Sequence, residues 1–265
     1  MRESISQLNK EKNPNELNFD DLVVSNISKS HAGSNKFYEL KNNPNKIVRV
    51  EGFDELLNKH DNKITIPELI ENAKKLYKEL GEKYGIVAPV DFVTSKNGDG
   101  KDIVCVVTDK VEGQSLEKVE KSEVFVNQVT ALYSAVAKYF LDKSKTGELY
   151  VWDINGESQY IYGKKSGDKE DQIYLIDTDI WLSRSENDMY LSFYWLARHM
   201  SGLENKLGVK FTEARNNINE FLNQSLPKDT DESVKKNIEG IKKIMNGEKS
   251  DYTPESAIPR LDKYF

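Results

Sequence analysis

The chain has 265 residues, of which 37% are hydrophobic and 31% are charged, and its formal net charge is -6. This length and apolar content allow a sizeable core in one or two domains. The acidic balance argues against nonspecific nucleic-acid binding, which needs clustered lysine and arginine side chains. No apolar stretch approaches membrane-spanning length, and the polar N-terminus is unlike a signal peptide. We therefore expect a soluble cytoplasmic protein that binds neither nucleic acid nor membrane.

The first half of the chain reads as a small antiparallel sheet with one helix. Residues 1–18 are rich in Asn, Lys and Glu and predict a loose arm. Three short strands follow in LVVSNI, KFYEL and KIVRVEG, and two more in APVDFVTS and DIVCVVTDKV. Between them, TIPELIENAKKLYKELGEKYG predicts a helix capped by Thr65 and ended by Gly81 or Gly85. The lone Cys105 lies in the apolar run IVCVV, so we expect it to be buried.

The second half is mostly helical. SEVFVNQVTALYSAVAKYFLDKS predicts a long amphipathic helix, and three further helical segments follow residue 187. The change in character near VEGQSL predicts an N-terminal lobe over 19–112 and a helical C-terminal lobe over 113–265. Between the helices, residues 150–181 predict a hairpin.

Two aspartates, Asp153 and Asp177, bracket this hairpin, and the loop after the first carries Gln159. Two carboxylates at strand ends can converge on one cleft, and carboxylate and amide oxygens suit a hard cation such as Mg²⁺. Such a metal can carry the phosphates of a nucleotide. Aspartates at strand ends are, however, commonly turn formers or helix caps, which is the alternative interpretation of this pattern.

The order of elements and several short motifs resemble the protein-kinase-like fold, and in particular the aminoglycoside phosphotransferase and choline kinase-like family. The motifs are HAGSNKFYEL, KIVRVEG, VVTDKVEGQSL and the two-aspartate segment, within about residues 22–200. The resemblance implies an α+β fold with an N-terminal antiparallel sheet and a helical second lobe. It also implies ATP and Mg²⁺ as cofactors.

The resemblance assigns the nucleotide site to the first lobe. Its phosphate loop would be formed by Gly33, Ser34 and Asn35. Arg49 would contact phosphate through its planar guanidinium group and would pair with Glu71 or, as the second candidate, Glu68. The backbone from Asp109 to Val111 would meet the adenine edge. Strand alternation also places Arg49 on the face opposite its two valine neighbours.

The resemblance assigns catalysis to the hairpin. Asp153 would be the base that accepts the proton of the attacking hydroxyl. Asp177, Gln159 and Asp179 would hold the metal. The chain departs from the family pattern at two places, because Val151 replaces a histidine and the asparagine position falls on Ser158 or Gln159.

The predicted function is transfer of the γ-phosphate of Mg-ATP to a hydroxyl of a small molecule. The segment after Asp179 is short, which favours a small acceptor over a protein, and nearby acids and aromatic rings make a cationic compound one candidate. The alternative is a catalytically weak or inactive pseudokinase that binds a nucleotide or a protein. Neither the acceptor, the choice of ATP over GTP, nor the oligomeric state can be read from the sequence.

Overall fold

The computed structural model describes residues 17, 21–24, 37–52, 64–178, 180, 182–224 and 231–248. The strands are β1 (Leu22–Val24), β2 (Phe37–Leu40), β3 (Asn43–Gly52), β4 (Val90–Lys96), β5 (Asp102–Asp109), β6 (Val111–Ser115), β7 (Tyr150–Val151), β8 (Tyr160–Lys165), β9 (Gln172–Leu175) and β10 (Leu182–Ser183). The helices are α1 (Ile66–Tyr84), α2 (Glu123–Thr146), α3 (Glu186–Leu207), α4 (Thr212–Leu222) and α5 (Glu232–Met245). A single 3₁₀ turn, Glu157–Gln159, precedes β8.

The first five strands form an antiparallel sheet in the order β1-β2-β3-β5-β4. The central pair, β3 and β5, is in register from Lys46 opposite Asp109 to Gly52 opposite Ile103. Side chains alternate across this sheet. One face carries a small cluster around Val48 and Cys105, and the other contributes to the main core. The strand predictions for this half and the burial of Cys105 are therefore confirmed, with the β2–β3 turn shorter than predicted because β3 begins at Asn43.

Helix α1 packs against this sheet with a buried apolar stripe that includes Leu69, Ala73 and Leu80. It begins with a capping box in which Thr65 and Glu68 each bond the other's backbone, which satisfies two otherwise unpaired N–H groups. It ends at Gly85, whose φ of 70° lies in the left-handed region that glycine adopts without strain. The end of the helix is therefore Gly85 rather than Gly81.

The segment at the predicted boundary between the two lobes forms strand β6, Val111–Ser115. Residues of β6 pair antiparallel with β8, and β8 pairs with β9, which gives a three-stranded sheet. Gly113 lies opposite Gly163, and a Cβ on Gly113 would lie 2.2 Å from the carbonyl oxygen of Tyr162. Only glycine fits this close approach of two backbones. The segment after the first sheet is thereby attached to the hairpin of the second half.

The strands that carry the two aspartates lie in different sheets. Asp153 follows β7, which pairs with β10, whereas Asp177 follows β9, which pairs with β8. The two acids therefore follow strands that are not paired with each other. The reason is that the residues after Asp177 return to pair with β7 instead.

The C-terminal half is helical, as predicted. Helix α2 packs against α4, and α3 packs against α5, around a core rich in aromatic side chains. The α+β class, with an antiparallel sheet first and a mostly helical second half, is confirmed. Within the described ranges, no helix combines the length and apolar character needed to cross a membrane.

A candidate acid site between the two lobes

Asp153 is a mostly buried carboxylate with few partners. Its Oδ1 accepts a hydrogen bond from Nε2 of Gln159. Burial and, as the second cause, the negative charge of Asp177 raise the pKa of Asp153 to about 6. The hydrogen bond from Gln159 and the proximity of His199 act in the opposite direction but do not offset the burial. A carboxylate poised in this way is suited to exchanging a proton near neutral pH.

Gln159 joins the segments that carry the two acids. Its side-chain amide donates to Asp153, and its main-chain carbonyl accepts from the N–H groups of Ile176, at 2.9 Å, and Asp177, at 3.3 Å. This buried residue therefore holds the two acid segments together despite their different sheets.

The predicted role of Gln159 as a metal ligand stays a prediction. Its Oε1 accepts from the N–H of Gly156 at 2.7 Å, which occupies one of the two lone pairs of this oxygen. The alternative position, Ser158, is exposed on the 3₁₀ turn. In this structure the Gln159 side chain bridges Gly156 and Asp153.

Asp177 lies at the open side of the site. Its side chain is 55% exposed, and its Oδ1 lies 3.4 Å from Nη1 of Arg49. The neighbouring Thr178 is buried, and its carbonyl accepts a hydrogen bond from Nη2 of Arg49 at 2.7 Å. The first lobe therefore contacts the acid segment through Arg49 and also through Thr108, whose Oγ1 lies 3.4 Å from Oγ1 of Thr178.

Arg49 is a buried cation in the centre of β3, on the face opposite Val48 as the alternation predicts. Besides Asp177 and Thr178, it forms an ion pair of 3.1 Å with the buried Glu51. The predicted pair with Glu71 or Glu68 is not formed in this structure. Glu71 is exposed, and Glu68 is held by the N-cap of α1. Glu51 takes that position because it extends from the same face of the same strand.

The predicted adenine contacts at the end of β5 are also altered. The N–H of Asp109 donates to the carbonyl of Pro89, and that of Lys110 donates to the carbonyl of Asn45. Val111 is paired with Lys165. The N–H groups of Asp109 and Lys110 are therefore engaged by backbone carbonyls of the first lobe, and the contact of the Asp109–Val111 backbone with an adenine edge stays a prediction.

Four predicted site residues lie outside the described residues. These are Gly33, Ser34, Asn35 and Asp179. Among the residues that are described, no group of three or more histidine, cysteine or carboxylate side chains could hold a metal by itself. Mg²⁺ is commonly held by only one or two carboxylates, with water and substrate phosphates as the other ligands. Asp177, which is exposed and close to a second carboxylate, has the chemistry for that kind of site.

The sequence interpretation missed a histidine and a glutamate beside Asp153. Nδ1 of His199 on α3 contacts Oε2 of Glu157 in the 3₁₀ turn. Burial acts to raise the pKa of Glu157, but the contact with His199, the positive charge of that ring and a backbone hydrogen bond together hold this pKa below its usual range. No spacing in the sequence connects His199 with Glu157.

A cavity of about 620 Å³ lies away from the two aspartates. It is lined by the end of α1, by α2 and by the β8–β9 turn, including Tyr84, Leu132 and Asp171. Neither acid reaches it. The candidate site is therefore defined by its converging charged side chains and not by this cavity.

Comparisons with known proteins add little to this geometry. No protein-family model matches the chain, and no curated protein matches it. Among solved structures, the chain is similar to a crystal structure of Rad53 1-466 in complex with AMP-PNP, with 11% identity and a TM-score of 0.43. The match covers 86% of this chain and 61% of that one, so this chain spans less than two thirds of that structure. A likeness this weak carries no functional argument, and the function must be argued from the site itself.

Proposed function

We propose that this protein transfers a phosphoryl group from Mg-ATP to a hydroxyl group of a small molecule, at the junction of its two lobes. The observation that carries the proposal is the arrangement of two aspartates and a buried arginine. The charge of Asp177 acts on Asp153, and Arg49 contacts Asp177 directly. Phosphoryl transfer depends mainly on positioning and charge neutralisation, which these groups can provide.

Asp153, Asp177 and Arg49 would take different roles in the reaction, because their environments differ. Asp153, buried and with a raised pKa, would accept the proton of the acceptor hydroxyl. Asp177, exposed and able to exchange its ion pair with Arg49, would hold Mg²⁺. Arg49 would then contact phosphate oxygens with its planar fork. Bound Mg²⁺ would supply positive charge that offsets the repulsion between the two acids and the charge of the phosphates.

A small acceptor is favoured by the short connection after Asp177. Leu182 and Ser183 already pair with β7, and α3 begins at Glu186. This leaves little chain to form a docking segment for a protein substrate. The acids near the start of α3, Glu186 and Asp188, are compatible with a cationic acceptor.

The test combines nucleotide binding with turnover. Mg-ATP should raise the melting temperature of the wild-type protein, because a ligand that binds only the folded state stabilises it. Asp177→Asn should remove the Mg²⁺-dependent part of this shift. Asp153→Asn should keep the shift and lose at least about a hundredfold in turnover, measured as ATP consumption with candidate acceptors.

The matched control is Glu220→Gln, which alters an exposed carboxylate on α4 that pairs with Lys145. It should behave as the wild type in both assays. No melting shift with ATP, in the presence or absence of Mg²⁺, would contradict nucleotide binding altogether. A Mg²⁺-dependent shift without turnover in any acceptor screen would favour the inactive nucleotide-binding module instead.

A further inference from the structure

The loop that carries Asp153 is attached to one face of helix α3 at two points. Before the acid, Oγ of Ser192 lies 3.2 Å from the carbonyl of Trp152, and the same hydroxyl makes its shorter hydrogen bond, at 2.8 Å, to the carbonyl of Asp188 within the helix. After the acid, Glu157 contacts His199. Positions i and i+7 of a helix lie on the same face, so Ser192 and His199 form one supporting surface. The two contacts therefore fix the loop on both sides of Asp153.

The second attachment leads directly to the acid through the 3₁₀ turn. Glu157 and Gln159 belong to the same turn, and Gln159 donates to Asp153. A Cβ on Gly156 would lie 3.4 Å from Nε2 of His199 and 3.5 Å from Oε1 of Gln159, so both side chains lie against the same backbone atom. A displacement of His199 would therefore also displace the Gln159 side chain, because the two pack on the same position of the turn.

The imidazole ring itself is held in place on the helix. It stacks on Trp195, with ring centroids 5.8 Å apart and planes inclined by 30°. Arg198 lies over the same indole at 5.3 Å. The His199 side chain is 28% exposed and that of Glu157 is 23% exposed, so their contact is partly shielded from water. Such a contact can add to the two helical hydrogen bonds of the turn itself, from the Gln159 N–H to the Gly156 carbonyl and from the Tyr160 N–H to the Glu157 carbonyl.

We propose that His199 and Glu157 form a positioning pair that holds the 156–159 turn so that the Gln159 amide stays on the carboxylate of Asp153. The pair does not touch the reacting groups and acts through Gln159. Its effect on turnover rests on the proposed function, but its effect on the Gln159 amide does not.

The direct test observes the side-chain amide protons of Gln159 by ¹H–¹⁵N NMR. In the wild-type protein, donation to Asp153 should slow their exchange with water, and Asp153→Ala should assign the effect by removing it. His199→Phe keeps a ring that can stack on Trp195 but cannot bond Glu157, and it should speed the exchange by roughly tenfold. His199→Asn keeps an N–H donor near the Nδ1 position and should restore most of the protection.

A second variant, Glu157→Gln, changes the pair with little change of shape and guards against a misfolded His199 variant. It should also speed the Gln159 exchange, whereas Glu220→Gln should not. Unchanged exchange in both His199→Phe and Glu157→Gln would overturn the proposal. Equal acceleration in His199→Phe and His199→Asn would overturn it too, because a donor at this position would then restore no protection.

Turnover provides a separate measurement. If ATP consumption depends on Asp153, His199→Phe should lower kcat by roughly tenfold with little change in the KM for nucleotide, because the pair orients the acid and does not bind the phosphates. Turnover that is insensitive to Asp153 and Asp177 would defeat the proposed function and leave the NMR result to decide the positioning role.

Discussion

Among the described residues, Glu204 and Asp153 are two largely buried carboxylates that differ in the number of groups that satisfy them. Glu204 on α3 has a side chain with 0% exposure, yet it accepts from Nε of Arg215 and from the N–H of Phe211, both at 2.8 Å, and pairs with Lys210. Asp153 has Gln159 as its side-chain donor and a second acid nearby. Satisfied buried acids support structure, whereas poorly compensated ones mark candidate functional sites.

The two environments shift the pKa values of Glu204 and Asp153 in opposite directions. Burial acts to raise the pKa of Glu204, but the bonds from Arg215 and Phe211 outweigh it and lower this pKa. Its contribution to stability is therefore present above the pKa of the unfolded chain and is lost as the pH falls through the folded value. Asp153, with a raised pKa, has the reverse effect, so its ionisation reduces stability as the pH rises from about 4 to about 6.

The largest effect is expected from Arg215→Met, which leaves Glu204 buried without its main partner. The free energy of unfolding at pH 7 should fall by about 3–5 kcal/mol, as it does when one member of a buried ion pair is removed. Urea denaturation measures this change. A loss below about 1 kcal/mol would mean that Lys210 and the Phe211 N–H suffice, and that the contrast with Asp153 is weaker than the contacts indicate.

Asp153→Asn should change the free energy of unfolding in the opposite direction and increase it. The substitution removes an ionisation that the folded state disfavours, so the variant should be more stable than the wild type by about 2–3 kcal/mol at pH 7. The difference should shrink to nearly zero by about pH 4, where the folded wild type is already protonated. Paired urea denaturations at both pH values test this. A gain of equal size at both would point to packing and not to charge.

A smaller effect is expected from Asp177→Asn. This substitution removes the negative charge that raises the pKa of Asp153 and leaves the burial of Asp153 unchanged. The pKa of Asp153 should fall from about 6 but stay above the usual value of about 3.9, because burial is the larger cause. Titration of the Asp153 carboxyl by ¹³C NMR measures it. A pKa that does not move would place the two charges too far apart to share a cation.

The smallest effect is expected from Glu220→Gln, since Glu220 and Lys145 are both well exposed. The loss in the free energy of unfolding should stay below about 0.5 kcal/mol, because exposed ion pairs are screened by water and salt. Urea denaturation under the same conditions as for Arg215→Met gives the scale of the comparison. A larger loss would remove this variant as a control.

Local sequence patterns predicted most of the elements. The period of the apolar residues identified the helix stripes, and capping residues such as Thr65 and Gly85 marked the ends of α1. Alternation placed Arg49 on the face opposite its valine neighbours. These features depend on neighbours a few positions away along the chain, which is why they can be read without coordinates.

The partners of the charged groups were decided only by the tertiary structure. Glu51 and not Glu71 pairs with Arg49, the linker becomes β6, Gln159 bridges Asp153 to the Asp177 segment, and His199 reaches Glu157. Each contact depends on the packing of distant segments and on competition among many acids for few buried cations. The sequence alone determined which side chains could act and on which elements they lie, while three-dimensional packing selected their partners, because burial sets the energy of each charge.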